Sequence, residues 1–375
     1  MIYWSVFSFI LLVSYVVLIG YFLVGLLRVI NKARRKRESS NVKQNTFTII
    51  VPARNEEKTI ALCLHSIINQ TYNNTLFEII VLNDYSTDNT GSIVNNLISE
   101  FGSGQIRLVN LSDLNNIKNK KEAITKGIEE AKNDYIILTD ADCTRNENWL
   151  ETINNYIGTT NAKMIYAPVE FTANTIFEKL QALEFAGLVG IGAAAIELKN
   201  PNMCSAANLI FEKQVFFEVD GYKDNMHIAS GDDEFLMHKV FKLYPDAVKF
   251  LYNDKAIVQT SPNGTLQQLA QQRKRWVSKS TKYENRYITL ILAMAYFFNV
   301  SILINLAIDA EIAVYQLLFK TLIEGIFLYK ILQLYKKTNL IMLLPIAEVF
   351  HILYVIIIGI WANFGTYNWK DRQHK

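Results

Sequence analysis

The chain has 375 residues, half of them hydrophobic, with a mean hydropathy of +0.11 and a formal net charge of +3. That length allows about two domains; the apolar content is high for a protein held wholly in water, and so small a charge gives no reason to expect a nucleic-acid partner. Three well-separated cysteines, Cys63, Cys143 and Cys204, form neither a disulfide framework nor a metal-ligand spacing, and read as bystander thiols of a reducing compartment.

Ile2 to Leu27 is almost wholly apolar and exceeds the roughly 20 residues needed to cross a bilayer. Its length, and the lack of a basic residue before it, argue against a cleaved leader. Lys32, Arg34, Arg35, Lys36 and Arg37 follow, which by the positive-inside tendency places the amino end outside and the next stretch in the cytoplasm. The sequons at Asn69, Asn73 and Asn263 have no meaning there. The predicted organisation is an N-terminal transmembrane helix over 1–28, a basic linker over 29–45, a cytoplasmic domain over 46–282, a transmembrane region over 287–362 and a basic tail over 363–375.

Within the soluble block, Thr46 to Val51 is an expected strand, and a helix is expected from near Glu57 to Gln70. A second strand at Phe77 to Leu82, a helix, a strand at Ile106 to Val109 and a helix near Lys120 to Lys132 lead to Tyr135-Ile-Ile-Leu138. Strands alternating with helices predict an α/β fold with a parallel, nucleotide-binding sheet. Three of these strands run into polar clusters: Arg54/Asn55/Glu56, Asp84/Ser86/Asp88 and Asp140/Asp142. A parallel sheet brings such clusters to one edge, where open α/β sheets take their ligands. Two carboxylates one residue apart repel unless they are solvated or share a divalent cation; a surface turn capping the next helix is the alternative for Asp140/Asp142 alone.

Past Trp149 a strand is expected at Met164 to Val169. A long helix over Thr175 to Leu198 has an apolar core too short to span, and reads as buried or interfacial. Ser230-Gly-Asp-Asp-Glu234 opens an apolar helix over Phe235 to Leu243, and simple capping would explain its acidic residues. Gln272-Arg-Lys-Arg-Trp276 lies on a basic helix, and a solvated cationic face near a membrane is its plain alternative. Ile288 to Ile308 and Leu340 to Trp361 are strong spanning segments. Ile312 to Leu332 is weaker because it holds Lys320 and Glu324, a spacing that lets them pair. Glu348 and His351 sit inside the last apolar run, as a functional pair or an interhelical hydrogen bond. Three C-terminal crossings would put the basic tail outside, against its charge.

With these residues in view the chain resembles a membrane-anchored family 2 glycosyltransferase with the GT-A nucleotide-sugar fold. The resemblance rests on Val51-Pro-Ala-Arg-Asn-Glu56, Leu64 to Tyr72, Asn83-Asp-Tyr-Ser-Thr-Asp88, Asp140-Ala-Asp142, Gly231-Asp-Asp233 and the Gln-x-x-Arg-Trp of 272–276, in the family's order over most of 46–280. The closing Tyr367 to Arg372 resembles the tail of bacterial members. The resemblance implies an inverting, Mg²⁺- or Mn²⁺-dependent transferase of the bacterial plasma membrane, acting on a nucleotide sugar. Pro52, Asn55, Glu56 and Asp84 would line the nucleoside pocket, with Lys121 near the donor; Asp140 would meet the ribose or sugar, and Asp142 would ligate the metal. Asp233 would be the general base. Gln272, Arg275 and Trp276 would form the acceptor and diphosphate side, with Asp232 beside the base. Three features depart from the pattern: Asn83 stands where an acidic residue is common, Ala206-Ala-Asn208 where Gly-x-Asn is more usual, and Asp232 rather than Glu precedes the base.

A lipid or lipid-linked glycan acceptor is the expected partner, because a polymer synthase usually has more spanning helices. A processive β-glycan synthase is the alternative, separated by product size. A silent membrane scaffold would not need the intact acidic and Gln-x-x-Arg-Trp sets, and a nucleotidyltransferase would release pyrophosphate instead.

Overall fold

The computed structural model describes residues 2–35, 42–102, 104–113, 119–226, 228, 231–279, 285–361, 367–369 and 372–374. Lys36, Arg37 and Ser230 lie outside them, as do Lys370 and Asp371 of the tail. The chain divides into two units. A sheet unit comprises residues 29–172 and 199–261; a helical unit comprises 1–28, 173–198 and 262–375.

The sheet unit begins with β1 (Phe47–Ala53) and α2 (Ile60–Ile68); α1 (Ile2–Arg35) precedes them. Next come β2 (Phe77–Asn83), α3 (Thr90–Phe101), β3 (Ile106–Asn110), α4 (Lys120–Glu130), β4 (Tyr135–Leu138), β5 (Thr144–Arg145) and α5 (Trp149–Gly158). Then follow β6 (Met164–Tyr166), β7 (Val169–Phe171), β8 (Leu209–Glu212), α7 (Lys213–Glu218), α8 (Asp232–Leu243), β9 (Val248–Phe250) and β10 (Val258–Thr260). Between β7 and β8 the chain leaves the unit for α6 (Ile176–Glu197).

Seven strands form one sheet in the order β3-β2-β1-β4-β8-β6-β9. β1 is buried along nearly its whole length, as a strand with apolar side chains on both faces must be, and pairs in parallel with β2 and β4. The register sets Ala53 opposite Asn83 and Ile50 opposite Leu138, so the loops after all three strands leave from one edge. The strand order turns back between β1 and β4, the topological switch point where such sheets leave a crevice. The sheet is mixed rather than purely parallel: β8 runs antiparallel to both β4 and β6. A smaller sheet, β5-β10-β7, adjoins the turn after β4. Phe47, Ile49, Ile50, Ile60, Leu64, Ile67, Trp149 and Phe211 form the core.

Two helix starts differ from expectation for a local reason. The amides of Glu56 and Glu57 are taken by the Thr90 hydroxyl and the Asp88 carboxylate, so α2 begins only at Ile60. The acidic triplet is itself the first turn of α8, entered from Gly231 at φ +82°, a conformation a β-carbon would strain.

The helical unit holds α1 up to Arg28, α6, α9 (Leu266–Ser278), α10 (Arg286–Ile308), α11 (Ala310–Leu332) and α12 (Leu344–Trp361). A short pairing of β11 (Tyr367–Trp369) with β12 (Arg372–His374) ends it. Among the described residues five helices are long and apolar enough to cross a membrane: α1, α6, α10, α11 and the helical stretch ending in α12. α6 thus has spanning length and composition, although its apolar core alone reads as too short. It still cannot cross, because β4 before it and β8 after it are hydrogen-bonded neighbours. Two-thirds of its apolar window is buried, against less than a third for the other four. Gly187 and Gly190 let α11 approach so closely that an added β-carbon would meet Leu328 and Phe327 at 3.1 Å.

Two polar groupings inside this unit join its helices. Asn305 donates to Ser8 and Gln316 and accepts from the Trp4 indole, joining α1, α10 and α11. The fully buried Lys320 ammonium pairs with Glu324, four residues on, and with Glu348 of α12, while the Tyr15 hydroxyl donates to Glu324. The Lys320–Glu324 and Glu348–His351 spacings read separately in the sequence are therefore one cluster. Glu324, Glu348 and His351 have ligand atoms within 4.8 Å of one another, but the ammonium already supplies the cation between the two carboxylates.

Candidate functional site

At the edge where β1, β2 and β4 end, the loops after β1 and β2 are laced together. Asn55 receives the Thr87 amide on its side-chain oxygen at 2.9 Å and sends its own amide to Ser86 at 3.0 Å. Arg54 donates to the Asp84 carbonyl at 2.9 Å, and the Asp84 amide to the Ala53 carbonyl at 2.8 Å. Asp88 accepts from the Glu57 amide and from the Thr90 amide and hydroxyl. Burial raises the Asp88 carboxyl, but the Thr90 and Glu57 donors outweigh it and hold the group below its ordinary range. Asn55 and Tyr85 both sit at φ +53°, outside the comfortable range for residues with a β-carbon. Such strain persists where its surroundings over-determine it, as this lacing does. Pro52 is half-buried, one residue before the buried Ala53 that ends β1, and Asp84 is buried just after β2.

Asp140 and Asp142 follow β4 directly. Their carboxylate oxygens and the Cys143 sulfur lie within 4.8 Å of one another. Solvent reaches Asp142, yet the atoms crowded around it strip its hydration, and the charges of Asp140 and then Glu56 push its carboxyl further up. The Cys143 thiol and the Thr260 hydroxyl of β10 donate to it in partial compensation. Oxygen donors whose mutual repulsion favours neutralisation are the set a hard divalent cation accepts, so these residues fit one. Burial pushes the Cys143 thiol well up, which keeps it a neutral donor.

Asp233, in the first turn of α8, is only half-buried. It accepts the Ala206 amide at 3.0 Å and the Glu234 amide at 2.9 Å, so two backbone donors fix its carboxylate. Asp232 beside it is buried, with the Lys120 ammonium 3.5 Å away. Lys121, expected near the donor, is tied into the fold through its side chain. It is 3% exposed, and its ammonium donates to the carbonyls of Asn225 at 2.6 Å and Ile228 at 2.8 Å, bracing the chain just ahead of Gly231.

Gln272, Arg275 and Trp276 lie on α9 of the helical unit and are half-buried. The two residues between them are the buried ones. Arg273 pairs with Glu184 of α6 at 2.7 Å, donates to Gln272 at 2.7 Å and lies 4.2 Å over the Trp276 ring. Lys274 lies 4.4 Å over the Trp361 ring. This helix is thus more than a solvated cationic face.

Residues 48–219, from the first strand to the end of α7, match the family model described as glycosyl transferase family 2. That segment of the chain belongs to the family. Glycosyltransferase AglE of Haloferax volcanii is 23% identical over 189 residues, 50% of this chain and 58% of its own length. Glycosyltransferase GlyG of Streptococcus pneumoniae is 25% identical over 233 residues, 59% of this chain and 72% of its own. The 4,4'-diaponeurosporenoate glycosyltransferase of Staphylococcus aureus is 36% identical over 109 residues, 29% of this chain and 27% of its own. This chain thus spans little more than half of AglE and about a quarter of the staphylococcal relative. Among solved structures, a mannosyltransferase from Pyrobaculum calidifontis in complex with GDP-Man and Mn²⁺ has the same fold, with a TM-score of 0.56 at 15% identity over 93% of this chain and 99% of its own.

The glycosyltransferase domain contains supports that no motif announces. Thr260 reaches Asp142 across 118 positions of sequence, and the Ala206 amide reaches Asp233 across 27. Asn208, fully buried, donates to the carbonyls of Pro168 and Ala256 and accepts from the Trp149 indole, clamping three segments. The departure from Gly-x-Asn at Ala206 leaves that Asn in place. A lone Thr or Ala carries no pattern, so only the fold reveals these partners.

Proposed function

We propose that this glycosyltransferase moves a sugar from a nucleoside-diphosphate donor, a UDP-sugar first among them, to a lipid or lipid-linked glycan at the cytoplasmic face of a bacterial plasma membrane. The convergence of three strand ends at one edge of the sheet, with Asp140 and Asp142 on the last, carries the reading. Asn55, Glu56 and Asp84, with Pro52 behind them, are assigned to the nucleoside, Asp140 to the ribose or sugar, and Asp142 to a divalent metal. A bound Mg²⁺ or Mn²⁺ would neutralise charge on the leaving diphosphate. The mannosyltransferase of the same fold, with its GDP-Man and Mn²⁺, supports that assignment.

Asp233 is the general base. It takes the proton of an acceptor hydroxyl as that oxygen attacks the anomeric carbon. The bond from that carbon to the diphosphate oxygen breaks, and its electron pair leaves with the nucleoside diphosphate. Attack opposite the leaving group inverts the centre. A positioned base contributes roughly 10²–10⁴-fold. Arg275, Gln272 and Trp276 are assigned to the diphosphate and acceptor side, with Asp232 beside the base. Five apolar helices support a membrane-held acceptor, and the staphylococcal relative's name gives one acceptor, 4,4'-diaponeurosporenoate.

The test is a donor screen on detergent-purified protein with Mn²⁺ or Mg²⁺, following nucleoside diphosphate release with and without membrane lipid extract. One donor should be consumed in a metal-dependent reaction that the extract stimulates. Absence of release from every donor, with wild type and Asp233→Asn alike, would sink the proposal. A single-sugar product separates this reading from a processive synthase, which would give long chains.

A further inference from the structure

Polar contacts tie α9 to α6 beside the three residues assigned to the acceptor. They are made by neighbours that reach α6. Gln181 and Glu184 stand three apart, hence on one face of α6. Gln181 is 2% exposed, and its amide group is matched in both directions to Asn263: it donates to the Asn263 carbonyl at 2.9 Å and accepts the Asn263 amide at 3.0 Å. Asn263 lies just ahead of Thr265, whose side chain caps α9. One turn along α6, Glu184 holds the guanidinium of Arg273, which is 1% exposed; Tyr354 of α12 hydrogen-bonds the same pair.

Arg273 then acts on both of its flanks. Its second amino group donates to the side-chain oxygen of Gln272, and its plane lies over the Trp276 ring, which Phe185 of α6 meets at 6.1 Å between centroids. A flat guanidinium can hold a carboxylate, an amide oxygen and an aromatic face together; an ammonium cannot. Gln181 thus fixes the helix along its axis, and Glu184 fixes its rotation together with the rotamers of Gln272 and Trp276.

We propose that Glu184, acting through Arg273 and assisted by Gln181, is a positioning residue for the acceptor side of the transferase. The proposal rests on the assignment of Gln272 and Trp276 to the acceptor. Misplacing reacting groups by about 1 Å costs about 10²-fold, so the loss should fall on acceptor use and leave donor use alone.

The test uses full-length protein in detergent with the donor and lipid extract identified by the screen. Glu184→Gln should raise the acceptor KM about tenfold and lower kcat by a similar factor, with nucleotide affinity unchanged by calorimetry. Because that variant leaves a buried guanidinium without its carboxylate, Glu184→Met with Arg273→Met is the second arm. An apolar pair of similar volume restores packing and melting temperature, but it returns neither the hydrogen bond to Gln272 nor the guanidinium over Trp276. The acceptor KM should therefore stay high in a stably folded double variant. A wild-type acceptor KM in that double variant would reduce the pair to a packing role and overturn the proposal.

A reading independent of turnover is the Trp276 emission, isolated as the difference from Trp276→Phe in each background. Its shift in both variants, beside a wild type that transfers no sugar, would uphold the positioning and sink the transferase assignment. An unshifted emission would sink the positioning itself.

Discussion

Asp233 and Asp88 are carboxylates held by backbone amides, and they lead to opposite expectations. Asp233 is half open to solvent, and its two amide donors aim it rather than bury it. Asp233→Asn keeps the size and the hydrogen bond from Ala206 but cannot take a proton. Transfer should fall by about 10²–10⁴-fold with donor affinity kept, read by product formation and by nucleotide titration. A loss of donor affinity would make Asp233 a metal ligand instead. Asp88 acts through stability. Its folded carboxyl is held below the ordinary range by Thr90 and Glu57, so the folded state binds fewer protons than the unfolded chain. The stabilisation is complete above the ordinary carboxylate range and is lost as pH falls through the depressed folded value. Melting curves should show wild type above Asp88→Asn at neutral pH, the two converging in acid. Asp142 and Asp233 stand in local motifs, which is why the sequence singles them out. Thr260 stands in none, and Asn208 was named without its partners, because those partners are distant in sequence. The carbonyls that Lys121 binds likewise belong to a segment 104 to 107 positions away, beyond the reach of any local motif.

At the scale of elements, the front half of the sheet could be read directly. β1 and β2 are seven-residue strands dominated by apolar residues, as a strand buried on both faces in a parallel sheet needs. The back half could be read only at Met164 to Val169, as one strand where there are two. β6, β8 and β9 have three or four residues each, too few for a period, and the direction of β8 depends on where the chain goes during α6. Asn208 holds the join between these halves, directly ahead of β8. Asn208→Ala would leave the Ala256 carbonyl and the Trp149 indole N–H without the amide that pairs them, while the Pro168 carbonyl keeps the Val258 amide. Unpaired buried groups cost about 1–3 kcal/mol each and are not additive, so a loss of about 3 kcal/mol is expected in denaturant unfolding followed by Trp149 fluorescence. A loss below about 1 kcal/mol would mean that water replaces the amide.

At the scale of the molecule, the helical unit gathers Lys320, Glu324 and Glu348 into one cluster. The sequence offered two local spacings, Lys320 with Glu324 and Glu348 with His351, and nothing in either spacing says that the two meet. They meet because α11 and α12 pack together, and Lys320 then answers two carboxylates at once. Lys320→Met should strand both, and breaking a buried pair in this way costs about 3–5 kcal/mol. Glu324→Gln with Glu348→Gln added to it should recover most of that. Thermal unfolding in detergent is the measurement, and a single variant as stable as wild type would show the cluster to be well hydrated.

α6 sets a problem of timing for the ribosome. When this segment emerges, β4 has been made and its partner β8 has not, so nothing yet marks the helix as one that must stay on the near side. An insertion apparatus that tests each segment for greasiness meets 22 residues of spanning length, and accepting them would cut the sheet between two neighbouring strands. The glycines at 187 and 190 that admit α11 so closely, with Gly192 beside them in sequence, also keep the segment less greasy than α1, α10 and α12. The packing that serves the finished protein therefore also guards its synthesis. Leucine at those three positions should turn α6 into a crossing. The chain's own sequons report it: Asn73 and Asn263 flank α6 and should share one modification state in microsomes for wild type, and differ for the leucine variant.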